Sequence, residues 1–195
     1  TLVPAANGYI GFAALHSNGA NAIVANEIDQ IYFTPASSNY TMAYDGNSQT
    51  SGTAPTDSSS PYSSGATVST LANSGGLTRT NYDFSGWNTQ ADGLGTDYAA
   101  PQASAFNITA NTTLYAKWTG TVTYNGNGNT GGSVPSAGTG VIAGDTYTVA
   151  ANPNGLSKTG FTFGGWNTQA DGLGTNYASG TGFFAFAGDV TLYAK

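Results

Sequence analysis

The chain has 195 residues, only 7% of them charged, and a formal net charge of −6. So acidic and cation-poor a composition argues against nucleic acid and anionic membrane surfaces as partners, and the absence of cysteine removes disulfides, thiol nucleophiles and thiolate metal sites. Gly, Ser, Thr and Asn stand where a cytosolic protein would place mixed Lys and Glu, the habit of secreted and cell-surface chains, and no apolar run approaches the roughly 18 residues of a bilayer span.

Residues 1–39 open with three strand-like segments, Tyr9–Leu15, Ala20–Ala25 and Ile28–Phe33, followed by a linker at Pro35–Asn39. Three short strands make a poor core alone. This β-rich segment is therefore expected to pack on the first repeat or to be completed by a neighbouring subunit, with Tyr9, Ile10, Phe12, Ile31, Tyr32 and Phe33 as candidates for ligand contact or self-association by strand addition. No basic and apolar leader opens the chain, which reads as a mature or excised piece.

From residue 40 onward, alternating runs predict strands with one buried face at Tyr40–Tyr44, Ala66–Leu71, Thr113–Trp118, Gly120–Tyr124, Thr146–Val149 and Val190–Tyr193. Turn formers separate them: Asp45-Gly46, Asp92-Gly93-Leu94-Gly95, and Asn125-Gly126-Asn127-Gly128, the last expected at a hairpin tip. One short helical turn is expected at Ser69–Asn73 or Val149–Asn152.

Gly86–Thr96 recurs letter for letter as Gly165–Thr175, at an offset of 79 residues. The offset drifts from 80 to 78 along the match, so small length changes fall in loop-like sequence. Two units follow, 40–118 and 120–195, joined by a short Thr119-Gly120 linker. Duplication favours extension over chemistry, because a spacer gains reach from each copy whereas an active site is built once. Units this small bury only about 60% of their unfolded surface, so the core should rest on repeated large side chains. These are Phe84, Trp87, Tyr98, Leu114 and Tyr115 in the first unit, and Phe163, Trp166, Tyr177, Leu192 and Tyr193 in the second.

Phe84-Ser-Gly-Trp-Asn-Thr with Thr113-Leu-Tyr-Ala-Lys-Trp118, and Phe163-Gly-Gly-Trp-Asn-Thr with Thr191-Leu-Tyr-Ala-Lys195, resemble the Listeria-Bacteroides repeat, also called the internalin B-type repeat. The resemblance implies a mostly β fold of two tandem, small β-grasp-like (ubiquitin-like) modules, of a kind found in secreted and surface-attached bacterial proteins as stalk, spacer or adhesion segments. It implies no catalytic residues. The second copy departs from the pattern in reaching Lys195 without the closing tryptophan.

Candidate chemistry is sparse. His16 is the single histidine and reads as a solvated loop residue. Asp92-Gly-Leu-Gly-Thr-Asp97 offers oxygen ligands in a glycine loop, which makes Asp92 and Asp97 weak calcium candidates. The second copy has Asn176 in place of Asp97, so a structural turn is the better reading and no metal or cofactor is expected. Trp87 and Trp166 are expected in the core, with an exposed glycan platform including Tyr98 and Tyr177 as the competing reading. The leading expectation is a non-enzymatic, extracellular structural or adhesive segment of a bacterial surface protein or fibre. Its alternatives are a self-assembling filament subunit and a module binding glycans or a host surface protein.

Overall fold

The computed structural model describes residues 38–100 and 105–195, together with the backbone of two short strands at 15–17 and 23–25. Those two, β1 (Leu15–Ser17) and β2 (Ile23–Ala25), pair antiparallel with His16 opposite Val24. Residues 1–38 form one compact unit and residues 39–195 another. The candidate contact residues Tyr9, Ile10, Phe12, Ile31, Tyr32 and Phe33 lie outside the described residues.

The larger unit is built from short strands, as its β-branched and aromatic runs between glycines require. In chain order these are β3 (Asn39–Tyr40), β4 (Met42–Asp45), β5 (Tyr62–Ser63), β6 (Thr67–Ser69), β7 (Asp83–Asn88), β8 (Asp97–Tyr98) and β9 (Ala105–Asn107). Then come β10 (Thr112–Asn125), β11 (Gly138–Ile142), β12 (Thr146–Thr148), β13 (Trp166–Asn167), β14 (Asn176–Tyr177), β15 (Phe183–Ala185) and β16 (Val190–Ala194). No helix occurs among the described residues. Where a helical turn is expected, the Asn73 side chain holds both backbone groups of Leu77, accepting from its N–H at 2.7 Å and donating to its C=O at 3.0 Å. Asn152 does the same for Leu156. An amide that captures local backbone groups competes with helix formation.

One eight-stranded sheet runs through both repeats, and β10 is its axis. The first half of β10 lies parallel to β4 (Leu114 opposite Tyr44) and antiparallel to β7 (Ala116 opposite Trp87). Its second half lies parallel to β16 (Tyr124 opposite Leu192) and antiparallel to β11 (Gly120 opposite Val141). A single strand thus closes the first repeat and opens the second. Strand β8 extends β7, while β13 pairs with β16 and carries β14. The β3–β5, β6–β9 and β12–β15 pairs form small separate ladders.

The expected Thr119-Gly120 linker is therefore corrected: both residues sit inside β10 and are buried. A Cβ on Gly120 would stand 2.6 Å from Asp189 Oδ1 and 2.8 Å from Phe186 Cζ. Glycine here permits close packing; it does not loosen the chain. The hairpin tip expected at Asn125–Asn129 is also corrected, because β10 continues through Asn125 beside β16 and residues 126–137 form a long connection to β11.

Each repeat keeps its own core. Met42, Val68, Leu77, Trp87, Ile108, Leu114, Ala116 and Trp118 pack together in the first, and Val122, Tyr124, Val149, Leu156, Trp166, Phe186 and Leu192 in the second. A fully buried indole removes roughly 200 Å² from water, worth about 5 kcal/mol at about 25 cal/mol per Å² as an upper value. Phe84, Tyr98, Phe163 and Tyr177 are half-buried against these clusters. Tyr115 and Tyr193 are not among the buried residues of either cluster. Strand alternation turns them away from the buried Leu114 and Leu192, leaving both half-exposed.

Candidate functional site

Both duplicated tryptophans are fully buried. The Trp87 Nε1–H donates to Leu71 O and that of Trp166 to Ala150 O, each at 2.8 Å. Trp87 meets Tyr44 and Phe84 at centroid distances of 4.7 and 5.2 Å, and Trp166 meets Tyr124 and Phe163 at 4.6 and 5.3 Å. The preceding glycines have φ of 116° at Gly86 and 106° at Gly165, and a Cβ there would stand 2.7 Å from Tyr98 O and 2.5 Å from Tyr177 O. Neither indole has a face to offer a sugar, so the platform reading of the tryptophans is corrected. Tyr98 and Tyr177 are half-buried, each beside a phenylalanine, Phe106 or Phe184, at 5.0 Å.

The glycine loop following each tryptophan is organised by an asparagine that composition and spacing did not single out. Asn88 is fully buried. Its Nδ2 donates to Gly93 O at 3.1 Å and to Asp97 Oδ1 at 2.6 Å, while its Oδ1 accepts from Gln90 N at 2.8 Å and Gly95 N at 3.0 Å. Asn167 repeats this with Gly172 O, Gly174 O and Asn176 Oδ1 as acceptors and with Gln169 N and Gly174 N as donors. The sequence signal that could have found them is their identity in both copies directly after the indole.

That network gives both weak calcium candidates, Asp92 and Asp97, protein partners. Lys117 Nζ lies 2.6 Å from Asp97 Oδ2, so the carboxylate already receives an amide and an ammonium. Burial opposes its ionisation, but the hydrogen bonds from Lys117 and Asn88 and the Lys117 charge outweigh that and hold Asp97 below the usual carboxylate range. Asp92 is spent on a local turn, accepting from Leu94 N at 3.0 Å, as Asp171 does from Leu173 N at 2.9 Å. In the second copy Lys195 Nζ donates to Asn176 Oδ1 at 2.9 Å. An acceptor oxygen is what the position needs, with or without charge. Among the described residues no three His, Asp or Glu side chains gather as metal ligands.

Two further asparagines tie loop to strand. Asn47 (φ 50°) donates from Nδ2 to Ala91 O and Ala116 O, and Asn127 (φ 51°) donates to Ala170 O and Ala194 O. Behind them the half-buried Tyr44 and the buried Tyr124 bond backbone: Leu71 N–H donates to Tyr44 Oη at 2.9 Å and Ala150 N–H to Tyr124 Oη at 2.6 Å. Burial pushes both hydroxyls above their ordinary pKa.

The joint between the repeats is as ordered as their interiors. Asp189 N–H donates to Asn81 O at 2.8 Å, Ala143 N–H to Trp118 O at 3.1 Å, and Thr121 N–H to Asp189 Oδ1 at 2.7 Å. Trp118 is buried there and donates from Nε1 to Gly46 O at 3.0 Å.

The family model described as the Listeria-Bacteroides repeat domain matches residues 40–117 and 121–195. A protein of Evansella cellulosilytica, provisionally named a Gly-rich membrane protein, is 36% identical over 162 residues, covering 80% of this chain and 18% of its own length. A second from that organism, provisionally named a membrane protein, is 36% identical over 91 residues, covering 45% of this chain and 13% of its own. The chain thus spans less than a fifth of these relatives. No solved structure matches it.

Proposed function

This chain belongs to the Listeria-Bacteroides repeat domain family, carrying two tandem copies, and from that premise we propose that it is a non-enzymatic, load-bearing segment of a bacterial cell-surface protein. The observation that carries the proposal is β10, one unbroken strand shared by two repeats that each keep a separate core. A linker would let the copies swing as beads. A shared strand with hydrogen bonds on both sides resists bending, which suits a spacer that holds another domain away from the envelope.

The relatives' description as membrane proteins supports a place at the bacterial envelope, and the charge-poor, hydroxyl-rich and amide-rich composition supports its outer face. No helix among the described residues is long and apolar enough to cross a membrane. We read each repeat as β-grasp-like from the parallel adjacency of its first and last strands. Adhesion to a host surface or glycan would then use exposed polar faces, since the indoles are enclosed.

Protease shaving of intact source cells tests the placement. Loss of antibody signal against this segment without lysis is expected; a signal that appears only after lysis overturns it. A second reading, a self-assembling subunit, draws on the separate compact unit formed by residues 1–38, whose strands could pair with another copy. Size-exclusion chromatography decides it: a monomer at all concentrations removes the reading, and long polymers establish it.

A further inference from the structure

A cavity of about 300 Å³ opens beside β14, β15 and β16 of the second repeat, lined by residues that include Tyr177, Phe184, Ala185, Ala187, Asp189 and Val190. None of the chain's four Lys and Arg side chains lines it. The first repeat keeps the aromatic pair, with Tyr98 and Phe106 at the same 5.0 Å as Tyr177 and Phe184, but differs in the rest of the wall. Its Asn107, Thr109 and Thr112 correspond to Ala185, Ala187 and Val190, so three hydrogen-bonding side chains give way to apolar ones of similar or smaller size. A fourth change is of charge: Asn111 corresponds to Asp189. Both accept the same backbone bond, Asn111 Oδ1 from Thr41 N–H at 2.9 Å and Asp189 Oδ1 from Thr121 N–H at 2.7 Å. A neutral amide therefore meets the structural need. The carboxylate adds a charge whose Oδ2 has no hydrogen bond or ion pair among the described residues.

We propose that this cavity binds an alkylammonium group, carried by a free amine or by a lysine side chain. The wall of Ala185, Ala187 and Val190 receives the aliphatic stem, as apolar surface receives the stem of any long cationic side chain. The two aromatic rings and the unpartnered carboxylate oxygen attract the cation, and the net charge of −6 favours its approach. An anion would be repelled by Asp189, and a neutral apolar guest would strip water from the carboxylate with nothing in return. Occupancy leaves β10 and its pairings as they are, so the site stands or falls apart from the load-bearing role.

Titration of the full chain with n-butylammonium, n-butanol and a capped Gly-Lys-Gly peptide, followed through the methyl resonances of Ala185, Ala187 and Val190, tests it. Butylammonium is expected to give saturable shifts with a dissociation constant on the order of millimolar, and butanol much weaker ones. Peptide binding comparable to that of butylammonium identifies a lysine side chain as the guest; binding of butylammonium alone identifies a free amine. Asp189→Asn should weaken butylammonium binding about fivefold and keep the melting temperature, since Asn111 holds the equivalent backbone bond. Ala187→Thr, at an exposed position, installs the first repeat's side chain and should weaken binding as well. Absence of a saturable shift, butanol binding as tightly as butylammonium, or an unchanged affinity in Asp189→Asn overturns the proposal.

Discussion

Tyr82 of the first repeat and Phe186 of the second meet edge to face, ring centroids 5.9 Å apart at 80°. Phe186 is 1% exposed and belongs to the second core, while Tyr82 packs against both clusters. The contact joins the two cores alongside β10, the packing of Ala143 on the first core and the Asp189–Asn81 backbone bond. A double-mutant cycle of Tyr82→Ala and Phe186→Ala should yield a coupling of about 0.5–1.5 kcal/mol in urea unfolding. Strict additivity would show that the rings are merely adjacent.

Continuity of β10 predicts that the repeats fold together. One calorimetric transition is expected for the chain, and a four-residue Gly/Ser insertion between Thr119 and Gly120 should split it into two, because it breaks the strand where Thr121 N and Ala143 N make their joint bonds. An unchanged single transition would show that the joint adds no cooperativity.

Gly86 and Gly165 set the approach of β7 and β13 to the strands beside them. Gly86→Ala would force a Cβ against Tyr98 O in a backbone region that L-residues avoid. The expected loss is at least about 2 kcal/mol by urea unfolding. Gly172→Ala is less informative about packing, since its left-handed φ of 78° penalises the change in open space.

The loop asparagines should respond unequally to one change. Asn88→Asp replaces donors with acceptors opposite Asp97 and Gly93 O, putting two carboxylates in contact. Asn167→Asp faces Asn176, a neutral amide that can turn its NH₂ toward the new oxygen. Asn88→Asp should therefore cost about 1–2 kcal/mol more near neutral pH. The gap should narrow as the pH falls, because protonating one of the paired carboxyls restores a donor.

Asp97 carries the acid dependence of the first loop. Its pKa is lower folded than unfolded, so its contribution is present above the unfolded carboxylate pKa and disappears as the pH falls through the folded value. The side chain is 58% exposed, and screening keeps the contribution below about 1 kcal/mol. Asp97→Asn should change neutral stability little and flatten the melting profile in that acid window. Millimolar calcium should leave the melting temperature of the parent chain unmoved, since Asn88 and Lys117 already serve the carboxylate; a clear rise would restore the metal reading.

Sequence alone determined the duplication, the strand-rich class and the identity of the central indoles, because periodicity and letter-for-letter repetition are local properties. It also located the glycine loops, whose backbone angles favour residues without a Cβ. It could not tell that Thr119-Gly120 continues a strand, since two short polar or small residues read equally as a joint or as a place of close packing. Only Asp189 and Phe186, some seventy positions away, decide between those. The same holds for Tyr115 and Tyr193, whose strand is legible while the face each presents depends on which neighbour covers it. Asn88 and Asn167 looked like polar surface and became buried organisers once the glycine loop closed over them, because a hydrogen-bonding group is buried at low cost only where the tertiary fold supplies its partners.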